Sequence, residues 1–142
     1  MVLIDINAIS ELWKPALAAG VVAWLDAGNR NALHICGVSC GASVRHCIDA
    51  YCRRQAILHR RLEDEVLPHF VERIRTFAVS TSRFYSKLMA GARVSGKAIC
   101  MADGWIAATA AERGLVVVMR HTSPFKATEL KTINRWSGQT FD

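Results

Sequence analysis

Asp5 and Asp103 are the residues whose type and setting point to chemistry. Asp5 closes the short apolar run Val2–Ile4, which reads as a buried strand delivering a carboxylate at its C-terminal end. Asp103 falls in the first turns of a helix over about Ile99–Arg113, and that helix leads into the apolar run Leu115–Met119. Ligands of open parallel sheets collect outside the carboxyl ends of the strands, where Asp5 sits and where Met119-Arg120-His121 leaves its run. Two carboxylates brought together there suit a hard divalent cation such as Mg2+, which takes oxygen ligands and retains several waters. Such an ion activates water and stabilises charge on a phosphodiester. Spacing alone leaves a plainer alternative open, in which Asp5 merely ends a strand and Asp103 caps or solvates a helix. Glu11, which follows Asp5 in the first turn, is a secondary ligand or an ordinary helix residue.

These carboxylates need a scaffold of alternating strands and helices. A short helical turn is expected over Asn7–Leu12, then a helix opening at Pro15 with Leu17, Val21, Val22 and Leu25 at helical spacing until Gly28. Leu33–Val38 reads as a second strand. Arg53–Leu67 carries Leu58, Leu62 and Val66 at four-residue spacing and is expected to end at Pro68. Ile74–Phe77 reads as a short strand. Ser80 or Thr81 then caps a helix whose Phe84, Tyr85, Leu88 and Met89 share a face before Gly91 and Gly96. Gly114 closes the helix bearing Asp103, Leu115–Met119 is a strand covered on both faces, and Ile133 opens a last strand. The alternation implies a three-layer α/β/α fold around a central parallel sheet. One domain over residues 1–136 with a tail at 137–142 is expected.

The chain has 142 residues, 51% of them hydrophobic and 21% charged, which is enough for one compact core and argues against long disorder. No window approaches the roughly 18 apolar residues of a membrane span, and Asp5 interrupts the N-terminal run too early for a signal peptide. A soluble, cytoplasmic protein is expected, with no membrane partner. The formal charge of +6 favours a polyanionic partner such as nucleic acid.

Val-Leu-Ile-Asp-Ile-Asn-Ala-Ile-Ser-Glu-Leu at residues 2–12 resembles the opening of PIN-domain toxins of the VapC family, usually Leu-Leu-Asp-Thr-Asn-Val-Ile-Ser-Glu. Ala102-Asp103-Gly104-Trp105-Ile106-Ala107-Ala108-Thr109-Ala110 resembles a second signature of that family, and Arg120–Phe125 with Ile133-Asn134-Arg135-Trp136 is similar to its C-terminal end. The resemblance implies a PIN fold and a ribonuclease dependent on Mg2+, with Mn2+ as a substitute. It also implies an RNA substrate, a cognate antitoxin and a homodimer. Asp5 and Asp103 match the first and third acidic positions, with Asn7 supporting the loop around Asp5. His121 stands where the family generally carries Asp or Asn, and Met119 replaces a Thr. A neutral imidazole is a poorer ligand for Mg2+ than a carboxylate. The resemblance therefore also carries an alternative, a catalytically inactive remnant that only binds an antitoxin or its own copy.

The second acidic position is a Glu in the family's Ala-Glu-Leu-Arg-Phe-Gly-Ile motif, in whose place stands Cys40-Gly41-Ala42-Ser43-Val44-Arg45-His46. Written in codons as TGC GGA GCT TCx GTT CGG CAT and read one base later, these residues give Ala-Glu-Leu-Arg-Phe-Gly, then Ile once Cys47 donates its T. The same shift from Arg30 to Ser39 permits Glu-Thr-Leu-Phe, an Ile or Thr, then Ser, two Ala or Val, Ser and Leu. Residues 30–52 thus read as a segment translated out of frame. The shift also accounts for Cys36, Cys40, Cys47 and Cys52. A zinc site from these with His34 and His46 is the rival reading, but no Cys-x-x-Cys pair is present. Cys100 is expected to pack on its helix. Arg53, Arg54, Arg60 and Arg61 would track an RNA backbone or form a solvated helix face beside Glu63, Asp64 and Glu65. Trp13, Trp24, Trp105 and Trp136 read as core or interface residues.

Overall fold

A computed structural model describes residues 1–5, 8, 16, 18–28, 30–37, 56–57, 60–126 and 128–137. The expected turn at Asn7–Leu12, apart from the helical Ala8, and the segment 38–55 lie outside the described residues, as does Pro15. Five short strands, β1 (Val2–Ile4), β2 (Leu33–Cys36), β3 (Ile74–Arg75), β4 (Val116–Val118) and β5 (Thr132–Ile133), form one sheet in the order β3-β2-β1-β4-β5. Every pairing is parallel, with Ile4 beside both Ile35 and Val118. The described helices are α1 (Ala19–Ala27), α2 (Leu67–Phe70), α3 (Val79–Val94) and α4 (Met101–Arg113).

Because strand side chains alternate in direction, each strand serves two cores. Leu3, Cys36, Val117 and Met119 pack with Leu88 and Ala92 of α3 and Ile106, Ala107 and Ala110 of α4. Ile4, Ile35 and Val118 pack on the opposite side with Val21 of α1 and with Leu62 and Val66. This is the three-layer α/β/α arrangement with a central parallel sheet that the alternation of elements implies. β1 is central and flanked on both sides, which is why its run is apolar throughout.

The boundaries differ from the sequence expectation at four places. Pro68 does not end its helix. Residues 62–66 form a π-turn in which the Leu67 N–H reaches Leu62 O, and Pro68 sits in the first turn of α2, where its missing N–H costs little. Gly91 does not end α3, which runs on to Val94 before Gly96 takes a positive φ of 67°. Ala78 rather than Ser80 or Thr81 is the N-cap of α3, and Thr81 instead accepts the Ala78 N–H from inside the first turn, at 3.0 Å. Ile133 ends β5 rather than opening it. Gly114 closes α4 in the left-handed conformation at φ 63°, as its position after the last apolar helix residue predicts.

Candidate active site

Asp5 is the first residue beyond β1 and is only 3% exposed. Its N–H continues the pairing to Val118 O at 3.3 Å, and its carbonyl accepts the Ala8 N–H at 2.9 Å, which turns the chain into the next segment. Alternation puts it on the same face as Leu3, toward α3 and α4. Extending the register by one residue sets it between Cys36 of β2 and Met119 beyond β4.

Asp103 lies half-buried in the first turn of α4, where its N–H donates to the Cys100 Sγ of the N-cap at 3.5 Å. Two observations show where that end of α4 lies. Phe77, two residues past β3, sets its ring 6.1 Å from Trp105 and 6.3 Å from Tyr85. Thr109 gives its hydroxyl proton to Trp105 O at 2.8 Å and lies 3.5 Å from the Sγ of Cys36, the last residue of β2. The first turns of α4 therefore overhang the carboxyl ends of β2 and β3. Gly104 lets α4 approach α3 closely, since a Cβ there would fall 2.8 Å from Tyr85 Cε2 and 3.1 Å from Met89 Sδ. Asp5 thus follows β1 on the Leu3 face of the sheet, and Asp103 opens a helix that packs on that face, through elements nearly 100 residues apart.

His121 is exposed beyond the carboxyl end of β4, next to the exposed Arg120. The Arg120 carbonyl accepts from Asn134 Nδ2 at 2.9 Å, and Asn134 Oδ1 accepts the Trp136 N–H at 2.8 Å, tying the loop after β4 to the segment after β5. Asn7 and Glu11 lie outside the described residues, as do Cys40, His46, Cys47, Cys52, Arg53 and Arg54. Among the described residues no three His, Cys, Asp or Glu side chains group closely enough to hold a metal ion. Carboxylate oxygens such as those of Asp5 and Asp103 suit a hard cation that keeps most of its waters rather than zinc. Cys36 is buried and engaged with Thr109, and Cys100, expected to pack on its helix, is exposed at the start of α4.

One buried group near this edge was not legible in the sequence. His34 of β2 pairs laterally with Leu3 and is 3% exposed. Arg75 Nε donates to its Nδ1 at 3.2 Å, which leaves the ring proton on Nε2, an atom with no hydrogen-bond partner among the described residues. Burial, then the charges of Arg75 and Arg73, hold this imidazole below its ordinary pKa. The aromatic set Phe77, Tyr85 and Trp105 was also not legible as a unit, because its members come from a strand exit and two helices.

No family model matches the chain. It is 44% identical over 138 residues to VapC ribonuclease Y4jK of Sinorhizobium fredii, covering 96% of this chain and 98% of that one. It is 35% identical to toxin FitB of Neisseria gonorrhoeae over 96% of this chain and 99% of the relative. The crystal structure of FitAcB from Neisseria gonorrhoeae superposes with a TM-score of 0.85 at 34% identity, over 96% of this chain and 99% of that chain.

Proposed function

The chain belongs to the VapC family of PIN-domain toxins of type II toxin–antitoxin systems, and from that premise we propose that it is a Mg2+-dependent endoribonuclease acting at the Asp5–Asp103 edge. The observation that carries this reading is a carboxylate buried at the carboxyl end of the central strand, and a second carboxylate in the first turn of the helix packed on the same face supports it. Asp5 and Asp103 would hold the cation, with Mn2+ as a substitute and with Asn7 and Glu11 in support. When bound, the ion would supply a nucleophilic water and offset charge on the phosphodiester.

The chain's own residues contribute position and charge. Asp5 is buried at the end of β1, and the Cys36–Thr109 contact together with the Phe77–Trp105 packing anchors α4 to the ends of β2 and β3. Arg120 and His121, exposed at the same edge, would meet the RNA backbone, and Asn134 holds their loop. The partners of this reading are RNA, a cognate antitoxin and a second copy, in the cytoplasm. No helix among the described residues is long and apolar enough to cross a membrane.

The catalytically inactive reading is favoured by one specific observation, the exposed imidazole of His121 where the family resemblance calls for Asp or Asn. An RNA cleavage assay separates the two. Cleavage that requires Mg2+ and is lost in Asp5→Asn and in Asp103→Asn supports the enzyme. Absence of cleavage, with antitoxin binding retained, supports the remnant.

A further inference from the structure

A cavity of about 530 Å³ opens at the opposite edge of the sheet from Asp5. It lies between α3, the end of α4 and the approach to β5. Leu115 immediately precedes β4 and Lys131 immediately precedes β5, so the cavity sits at the amino ends of these parallel strands. Its apolar wall comes from Phe84, Leu88, Leu115 and Leu130. Its volume lies within the few hundred to about a thousand Å³ typical of small-molecule sites, which combine apolar walls with a few polar groups that fix orientation.

Gly91 indicates that this space is kept open. It stands inside α3 with a φ that is not positive, and a Cβ built on it meets nothing within 4 Å. Neither backbone conformation nor a neighbour within the described chain requires a glycine there, and glycine is among the poorest residues inside a helix. Gly91 lines the cavity, so the missing side chain widens it.

The charge at the mouth selects the occupant. Lys87 faces Glu129 at 3.9 Å across the rim, which leaves that pair near neutral. Lys131 lines the same mouth, is exposed, and forms no ion pair among the described residues. We propose that this cavity is a binding site for a small amphipathic anion, an aromatic or branched apolar body carrying one carboxylate or sulfonate. The body would lie against Phe84, Leu88, Leu115 and Leu130 beside Gly91, and the anionic group would face Lys131. The site is separate from the Asp5–Asp103 edge and stands whether or not the chain cleaves RNA.

The test is a fluorescence titration of the full chain with 1-anilinonaphthalene-8-sulfonate and with its uncharged counterpart N-phenyl-1-naphthylamine. Saturable binding of one sulfonate per chain is expected. Gly91→Leu puts a side chain into the open space and should weaken both dyes about tenfold or more, with the thermal midpoint unchanged or raised. Lys131→Glu should weaken the sulfonate about threefold to fivefold and leave the neutral dye alone, as fits a partly exposed charge pair. Lys131 is exposed, so this variant keeps the test open should Gly91→Leu fail to fold. Non-saturable binding, equal sulfonate affinity in Lys131→Glu and the native chain, or undiminished binding in a folded Gly91→Leu would each overturn the proposal.

Discussion

His34→Ile gives a quantitative check on the sheet. The native imidazole is buried between β1 and β3 with its Nε2 proton unpartnered among the described residues, and a buried orphan donor costs about 1–3 kcal/mol. Isoleucine has a similar volume and suits a strand covered on both faces. The guanidinium of the half-buried Arg75 loses its acceptor but can turn to water. A net gain of about 1 kcal/mol is expected, or roughly 4 °C in thermal midpoint for a chain of this length. The pH dependence has a defined sign. The folded pKa lies below the ordinary 6.5, so between those values the unfolded chain holds the extra proton. Stability contributed by neutral His34 is therefore present above 6.5 and lost as pH falls toward the folded value. The loss between pH 7.5 and 5.5 is at most about 1.4 kcal/mol. Calorimetric melts at pH 7.5, 6.5 and 5.5 should show the native midpoint falling with pH and the His34→Ile midpoint falling less across that window. A variant that melts lower than the native chain at pH 7.5, or that keeps the same acid slope, would refute the reasoning.

Other consequences follow from the packing around the edge. Gly104→Val drives a side chain into Tyr85 and Met89 and should cost about 1–3 kcal/mol in urea unfolding, since the close approach of α3 and α4 has no room for a Cβ. Glu112 accepts hydrogen bonds from Ser80 and Thr81, which hold its carboxyl below its ordinary 4.5. That stability is present above 4.5 and lost as pH falls through the lower folded value, so melts of Glu112→Gln between pH 5 and 3 should show a shallower acid decline than the native chain. If residues 30–52 are out of frame, the coding DNA at residues 40–46 must permit the shifted Ala-Glu-Leu-Arg-Phe-Gly-Ile reading. A version restored to that frame should melt higher than the chain as it stands, and codons unable to give the motif would end the idea.

The parallel sheet was legible because β1 and β4 are uninterrupted apolar runs, each leaving its last apolar residue beside a polar or charged one. The helix bearing Asp103 was legible from its apolar spacing and from Gly114, which takes the left-handed conformation its position calls for. Boundaries set by tertiary contacts were not. Pro68 passes through its helix because a π-turn precedes it, and Gly91 stays helical because glycine stops a helix only when the chain has reason to turn there. The placement of Asp103 over the strand ends depends on Phe77, Tyr85 and Trp105 meeting and on Cys36 reaching Thr109. Those are long-range pairings that no local pattern encodes. His34 reads from sequence only as a zinc ligand because a histidine within an apolar stretch gives no sign of the arginine that faces it.

The central claim is that two aspartates at the carboxyl edge together hold one divalent ion. Calorimetric titration of the native chain with Mn2+, repeated on Asp5→Asn and Asp103→Asn variants shown to be folded, measures it without relying on turnover. The account predicts one ion per chain and loss of that binding in each variant alone; no binding to the native chain, or undiminished binding in either variant, would contradict it.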